Sequence, residues 1–284
     1  MKETEIARAF FYAEQEALFY DDTIALTQPD YQRVHQTIVD LLRHHWLKHK
    51  PVEGTFLDIG CGTGEEALNI LGAFPTLRGI AVDLSPKMLE RASSRLHKML
   101  GASWQDRCRV ECLDITDQAV TAESLLDFLP DEEKEEGYGL VVSAFALHHY
   151  TYEQKESVYH KCFAVLQDGG GLLLNADLFS YQSPELAAAA QRVMEDWLNR
   201  EFAGAPLDLR QKVGAHGVEW DLLLGAWLDH IRTYNIPLPI ESSAAIEEKR
   251  AAGEGELRLL RSAGFREAAC PYRYFQSGIL WAKK

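Results

Sequence analysis

Five short apolar runs alternate with helical stretches, and this rhythm narrows the fold more than any other feature of the chain. The runs cover residues 55–59, 79–83, 109–113, 140–144 and 171–176, and the helical stretches between them cover 65–71, 86–99, 119–129 and 152–166. Strand and helix in regular alternation predict a parallel sheet with helices on both faces. Near-continuous apolar strands fit a sheet buried on both sides. Ser85-Pro86 supplies an N-cap followed by proline in the first helical turn. Two further runs, 265–272 and 274–282, read as strands that close one edge. The expected fold is α/β, a doubly wound, mostly parallel seven-stranded sheet.

The rhythm is interrupted twice. Residues 3–20 and 31–48 read as amphipathic helices ahead of the first strand, with Asp30 as an N-cap. After Asp177 the pattern turns helical over 184–202, 218–234 and 242–263. An ordinary crossover takes roughly a dozen residues, so the longer stretch predicts a helical cap inserted between strands 5 and 6. The expected organisation is N-terminal helices over the site at 1–50, a nucleotide-binding α/β domain at 51–177 plus 257–284, and the cap at 178–256.

Charge and cysteine usage bound the partners. The 284-residue chain carries a net charge of −14, which disfavours a nucleic acid, whose phosphates call for a basic stripe. No apolar run has the length of a membrane span, and no signal peptide is read at the N-terminus. Five cysteines without a C-x-x-C pair argue against a disulfide framework or structural zinc. Cys108 and Cys112 share one face of a strand and read as two small buried residues. A cytoplasmic protein, monomer or homodimer, acting on a small molecule is expected, with no metal.

The first strand runs into Gly60-Cys61-Gly62-Thr63-Gly64 and then a helix. Glycines are needed where a strand turns sharply and a ligand must touch backbone, and the helix start adds free N–H groups and a positive dipole. The G-x-G-x-x-G dinucleotide pattern is broken by Glu65, whose carboxylate would repel a pyrophosphate. A nicotinamide enzyme is therefore disfavoured. Asp83 ends the next strand, where a carboxylate can accept both ribose hydroxyls. Asp114 ends the third, where it can accept from an adenine amine, with Ile115 against the ring.

These segments together resemble the class I S-adenosylmethionine-dependent methyltransferases. Residues 56–64 resemble the family's first motif, 81–89 the second, 113–115 the third and 142–149 the fourth. The turn at 166–172 and the segment 260–265 resemble its later landmarks. The resemblance implies S-adenosyl-L-methionine as cofactor and S-adenosyl-L-homocysteine as product. It implies a site with Asp58, Gly60, Cys61, Gly62 and Gly64 around the methionine end, and Asp83 and Leu84 at the ribose. Met88, Asp114 and Ile115 would lie at the base, and Ser143, Ala144 and Phe145 beside the sulfonium. Tyr31, in Pro29-Asp30-Tyr31, resembles a position that reaches toward the cofactor.

Methyl transfer is in-line displacement at a sulfonium, so the protein mainly aligns and desolvates. A base is needed only for an acceptor that must lose a proton. His148 and His149, beyond the fourth strand, are the candidates, and Asn175 and Asp177 are similarly placed. Trp220, Trp227 and Tyr234 recur every seven residues and share a helix face, which makes them core or an aromatic wall over an acceptor. The expected activity is methylation of oxygen or nitrogen on a small molecule. Two rivals stand beside it: an enzyme that converts the cofactor itself, resembling the carboxy-S-adenosylmethionine-forming enzymes, and a non-catalytic cofactor-binding regulator.

Overall fold

The computed structural model describes residues 16–48, 54–179, 183–234, 253–274 and 276–284. The apolar runs form β1 (Gly54–Ile59), β2 (Leu77–Asp83), β3 (Cys108–Cys112), β4 (Leu140–Ala144), β5 (Leu172–Leu178), β6 (Glu267–Tyr274) and β7 (Ser277–Lys283). They make one sheet in the order β3-β2-β1-β4-β5-β7-β6. The first five strands pair in parallel, and β7 runs antiparallel to both β5 and β6. The strand order reverses between β1 and β4, and such a switch point leaves a crevice beyond the carboxyl ends of the strands.

Helices α1 (Glu16–Thr27) and α2 (Tyr31–Lys48) precede the sheet. Crossing helices are α3 (Glu65–Ala73), α4 (Pro86–Leu100), the short α5 (Ala122–Leu126) and α6 (Tyr152–Val165). After β5 come α7 (Pro184–Gly204), α8 (Leu207–Ala215), α9 (Trp220–Tyr234) and α10 (Gly253–Ala263). Among the described residues no helix is long and apolar enough to cross a membrane.

The chain divides into two compact units. The sheet unit holds most of α2, residues up to Phe179, and the C-terminal segment with α10, β6 and β7. One face of its sheet buries Leu57, Ile59, Val141, Leu173 and Leu280 against Val158 and Cys162 of α6 and Leu259 of α10. A fully buried ion pair joins those two helices: Lys155 Nζ lies 2.5 Å from Glu256 Oε1. Tyr159 donates to the other Glu256 oxygen at 2.6 Å and accepts from Asn175 Nδ2 at 3.0 Å. The helical unit, α1 with α7 to α9, has its own core of Met194, Leu198, Phe202, Val213, Leu223 and Trp227.

Several boundaries differ from the sequence reading for local reasons. The first helix runs on to Thr27, and its expected start at residue 3 lies outside the described residues. The stretch 119–129 is helical only over Ala122–Leu126, because a capping box at Thr121 starts it late. Helix α8, which follows Pro206, was not expected. The last two strands begin later than read, because Phe265 closes the α10 turn on the Leu260 carbonyl and stays in the core. Trp220 and Trp227 belong to the core of the helical unit: the Trp220 indole donates to the Phe202 carbonyl at 3.2 Å and stacks on its ring. The side chain of Tyr234 lies outside the described residues.

Candidate cofactor and acceptor site

The turn after β1 is built by backbone. Gly60 and Cys61 both donate to the Val82 carbonyl, at 2.8 and 3.0 Å, which pulls the turn toward β2. Gly60 and Gly64 have φ of 67° and 80°, the left-handed region that favours glycine. A Cβ on Gly60 would stand 2.3 Å from the Ala146 side chain, so only glycine lets the first turn meet the loop after β4. Gly62 has open space where a side chain would lie. Asp83 clamps this turn: one oxygen accepts from Gly62 N–H and the other from Ser85 N–H, both at 2.8 Å. Each oxygen keeps acceptor capacity for a ribose hydroxyl. Burial pushes the Asp83 carboxyl up, and the amides of Ser85, Gly62 and Leu84 draw it part of the way back.

The remaining cofactor candidates are distributed along the same strand ends. Leu84 is largely exposed, and Met88 is half-buried in the first turn of α4, where Ser85 caps its N–H. Asp114 spends one oxygen on the Thr116 backbone and hydroxyl, at 2.9 and 2.7 Å. Ile115 is packed into the main core. The Ser143 hydroxyl donates to the Ile59 carbonyl at 2.8 Å, so it braces β4 against β1. Ala144 is half-buried. Phe145 is the one non-glycine described residue with positive φ, 54°, an uncommon and strained conformation for an aromatic. Its N–H donates to the Ala176 carbonyl at 2.7 Å, and its ring meets His35 edge-on at 5.9 Å. Tyr31 belongs to the helical unit.

The two histidine candidates separate. His148 is buried, with Nδ1 2.6 Å from Asp177 Oδ1, while His149 is exposed and stacks on it at 4.0 Å. Asp177 Oδ1 also accepts from Leu178 N–H at 2.9 Å. A buried carboxylate on Nδ1 fixes the imidazole tautomer and puts the basic lone pair on Nε2. Burial raises the Tyr150 phenol, with the carboxylates of Asp83, Asp114 and Asp177 adding to the rise.

Two readings of charge and exposure change. Glu65 pairs with Arg95, which also donates to Thr63 Oγ1 at 3.3 Å, so its charge is neutralised and repels a phosphate less than the sequence suggested. Cys108 is buried but Cys112 is exposed, because it ends β3 at the sheet edge. Among the described residues no group of three or more His, Cys, Asp or Glu side chains could hold a metal ion.

Sequence reasoning missed a second buried imidazole–carboxylate pair. His35 Nδ1, from α2, lies 2.6 Å from Glu66 Oε2 at the start of α3. Both residues are buried. The signal was present: Glu66 shares a stripe with Ile70, and His35 one with Ile38, Val39 and Leu42, so each is a polar residue on an apolar helix face. Beside them Asp58 is fully buried, and neither of its oxygens has a hydrogen-bond partner. Burial drives its carboxyl well up; Glu66 and Asp83 add to this, and the Ala67 amide offsets part.

Comparison with known proteins places the sheet unit. The methyltransferase domain family matches residues 56–170. A malonyl-(acyl-carrier protein) O-methyltransferase from Dechloromonas aromatica is 32% identical over 88 residues, 31% of this chain and 30% of that protein. A carboxy-S-adenosyl-L-methionine synthase from Shewanella piezotolerans is 25% identical over 175 residues, 61% of this chain and 63% of that one. The matches thus span less than two thirds of either relative. The magnesium protoporphyrin IX methyltransferase of Synechocystis PCC 6803, solved with bound S-adenosylhomocysteine, shares the fold with a TM-score of 0.54 at 14% identity, covering 100% of both chains.

Proposed function

This chain belongs to the class I S-adenosylmethionine-dependent methyltransferase superfamily, and from that premise we propose that it transfers a methyl group from S-adenosyl-L-methionine to oxygen or nitrogen of a small acceptor. The observation that carries the reading is the alignment of the Gly60–Gly64 turn, Asp83, Asp114 and the His148–Asp177 pair along the carboxyl ends of five parallel strands. The glycine turn would take the methionine end against backbone N–H groups. Asp83 would accept from the ribose hydroxyls with its remaining lone pairs, while Leu84, Met88, Asp114 and Ile115 would line the base.

The cofactor supplies an electrophilic methyl group on a sulfonium, a good leaving group. The protein holds acceptor and methyl in line and excludes water. His148 Nε2 takes the acceptor proton as the new bond forms, and Asp177 steadies the imidazolium through Nδ1–H. The helical unit is assigned to acceptor choice.

Calorimetric titration tests the cofactor half of the reading. Saturable binding of S-adenosylmethionine and none of NADH is expected; the reverse preference sinks it. Formation of S-adenosylhomocysteine with fractions of a metabolite extract tests the transfer. A second reading is favoured by the length of the match to the carboxy-S-adenosyl-L-methionine synthase, namely conversion of the cofactor itself. The mass of the ligand extracted from purified protein separates the two.

A further inference from the structure

We propose that binding of S-adenosylmethionine expels one proton from a buried carboxylate pair, Asp58 and Glu66, beneath the glycine turn, with His35 deciding which of the two holds that proton. The proposal rests on the cofactor reading above and goes beyond it.

Three carboxylates converge on the β1–α3 turn, and they are not equally served. Asp83 accepts from two backbone amides, one on each oxygen. Glu66 has one oxygen on His35 and the other without a hydrogen bond, and Asp58 has no side-chain donor on either oxygen, only the Ala67 amide beside it. Three acceptor atoms are therefore buried without side-chain donors, at residues 0% and 2% exposed. A buried carboxylate in that condition is costly, and it avoids the cost by keeping its proton.

The groups facing the pair reinforce this. Asp58 is flanked by Glu66 and the Ala67 amide of α3 and by Asp83 of β2. Cys61 in the turn and Cys108 in β3 both sense its charge, and their thiols, raised mainly by burial, stay neutral. Glu66 is flanked by His35 of α2 and by Glu65 of its own helix. The His35 hydrogen bond draws Glu66 back down, and Asp58 has no side-chain partner of that kind. The proton therefore rests on Asp58, as one step of a coupled titration.

S-adenosylmethionine brings a sulfonium and an ammonium against one carboxylate, a net positive charge. Placed at the turn, that charge favours the ionised form of both acids. The Asp58 O–H bond breaks, the proton goes to solvent, and the ligand's charge takes its place. S-adenosylhomocysteine lacks the sulfonium and should displace a smaller fraction of a proton. Selectivity for cofactor over product then grows as pH rises, which helps the spent cofactor leave.

The test is titration of the whole protein with S-adenosylmethionine, and separately with S-adenosylhomocysteine, at about pH 6 in phosphate and in imidazole. These buffers differ in ionisation enthalpy, and the ligand α-amino group stays protonated below about pH 7. The expected result is net proton release, larger for S-adenosylmethionine, with affinity tightening up to about tenfold per pH unit until Asp58 ionises in the free protein. Asp58→Asn should abolish the release. Glu66→Gln should keep binding but move the plateau in affinity to lower pH, which a purely structural residue would not do. Saturable binding with equal heats in the two buffers overturns the proposal and leaves the cofactor reading standing. No binding under any condition overturns both.

Discussion

The sheet unit holds two buried imidazole–carboxylate pairs with the same Nδ1 to oxygen distance, 2.6 Å, and their surroundings give them opposite tasks. At the β4–β5 end, Asp177 also accepts a backbone N–H, and His148 stacks on an exposed His149. Asp177 Oδ1 accepts from both the His148 ring and the Leu178 N–H, and on the proposed mechanism this orients the imidazole to take a proton from an acceptor. At the β1–α3 end, Glu66 sits beside a second carboxylate, Asp58, and one oxygen of Glu66 and both of Asp58 are buried without a hydrogen bond. That imidazole stabilises charge that is already present. On the two proposals, the same contact orients a base where the carboxylate accepts a second, backbone bond and manages a stored proton where an unbonded carboxylate, Asp58, adjoins it.

Replacing the two histidines should separate these tasks most sharply. His148→Asn should lower kcat by about 10²- to 10⁴-fold, the range expected for loss of a general base, with the Kd for S-adenosylmethionine moving less than about threefold, a change well under the tenfold that 1.4 kcal/mol represents. His35→Asn should do the reverse, leaving kcat at saturating cofactor nearly intact and shifting the pH dependence of cofactor affinity. Equal kcat losses in both variants, measured as S-adenosylhomocysteine formed, would erase the distinction.

A third buried pair sharpens it, because its cation is a lysine held between two helices rather than an imidazole. Lys155 and Glu256 are sealed between α6 and α10. Lys155→Met leaves Glu256 charged and unpaired in the interior and should cost about 3–5 kcal/mol in urea unfolding. A loss under about 1 kcal/mol would mean that Tyr159 alone satisfies the carboxylate. The next effect in size concerns the one turn carboxylate that is served. Asp83→Ala should weaken S-adenosylmethionine binding by roughly 1–3 kcal/mol, through lost charge-assisted bonds. Unchanged affinity would remove Asp83 from the ribose.

Much of this was legible in the sequence, and the exceptions share a cause. The inner parallel strands announced themselves because strands buried on both faces must be largely apolar, the edge strand β3, with Arg109 and Glu111, by its place in the rhythm, and the glycine turn because no other residue fits its backbone. Glu66 and His35 were hidden because each is polar on an otherwise apolar stripe, and the partner that makes burial tolerable comes from another helix, 31 residues away in sequence. Glu65 misled for the same reason, since Arg95 neutralises it from α4. The aromatic spacing of α9 was visible, but spacing alone could not say whether those rings met a ligand or Phe202. Periodicity reports which face is buried; it does not report what lies across from that face.

The smallest effect follows from the unserved pair and carries the least intuitive sign. A carboxyl whose pKa is raised in the folded state binds more protons there than when unfolded. Stability then falls as pH rises from the unfolded value, about 3.9 for aspartate, through the raised folded value of Asp58. Asp58→Asn removes that titration with little change in shape. The cofactor-free variant should therefore match the parent in stability at low pH and exceed it at neutral pH, by roughly 2–4 °C in melting midpoint for each kcal/mol recovered in a unit of this size. The same substitution should weaken cofactor binding. Asp177→Asn should behave differently, since Asp177 Oδ1 holds both the His148 ring and the Leu178 N–H and the substitution disturbs both bonds. If Asp58→Asn instead lowers the midpoint at every pH, the carboxylate is held as an anion in the folded protein, and the contrast between the two pairs fails at its root.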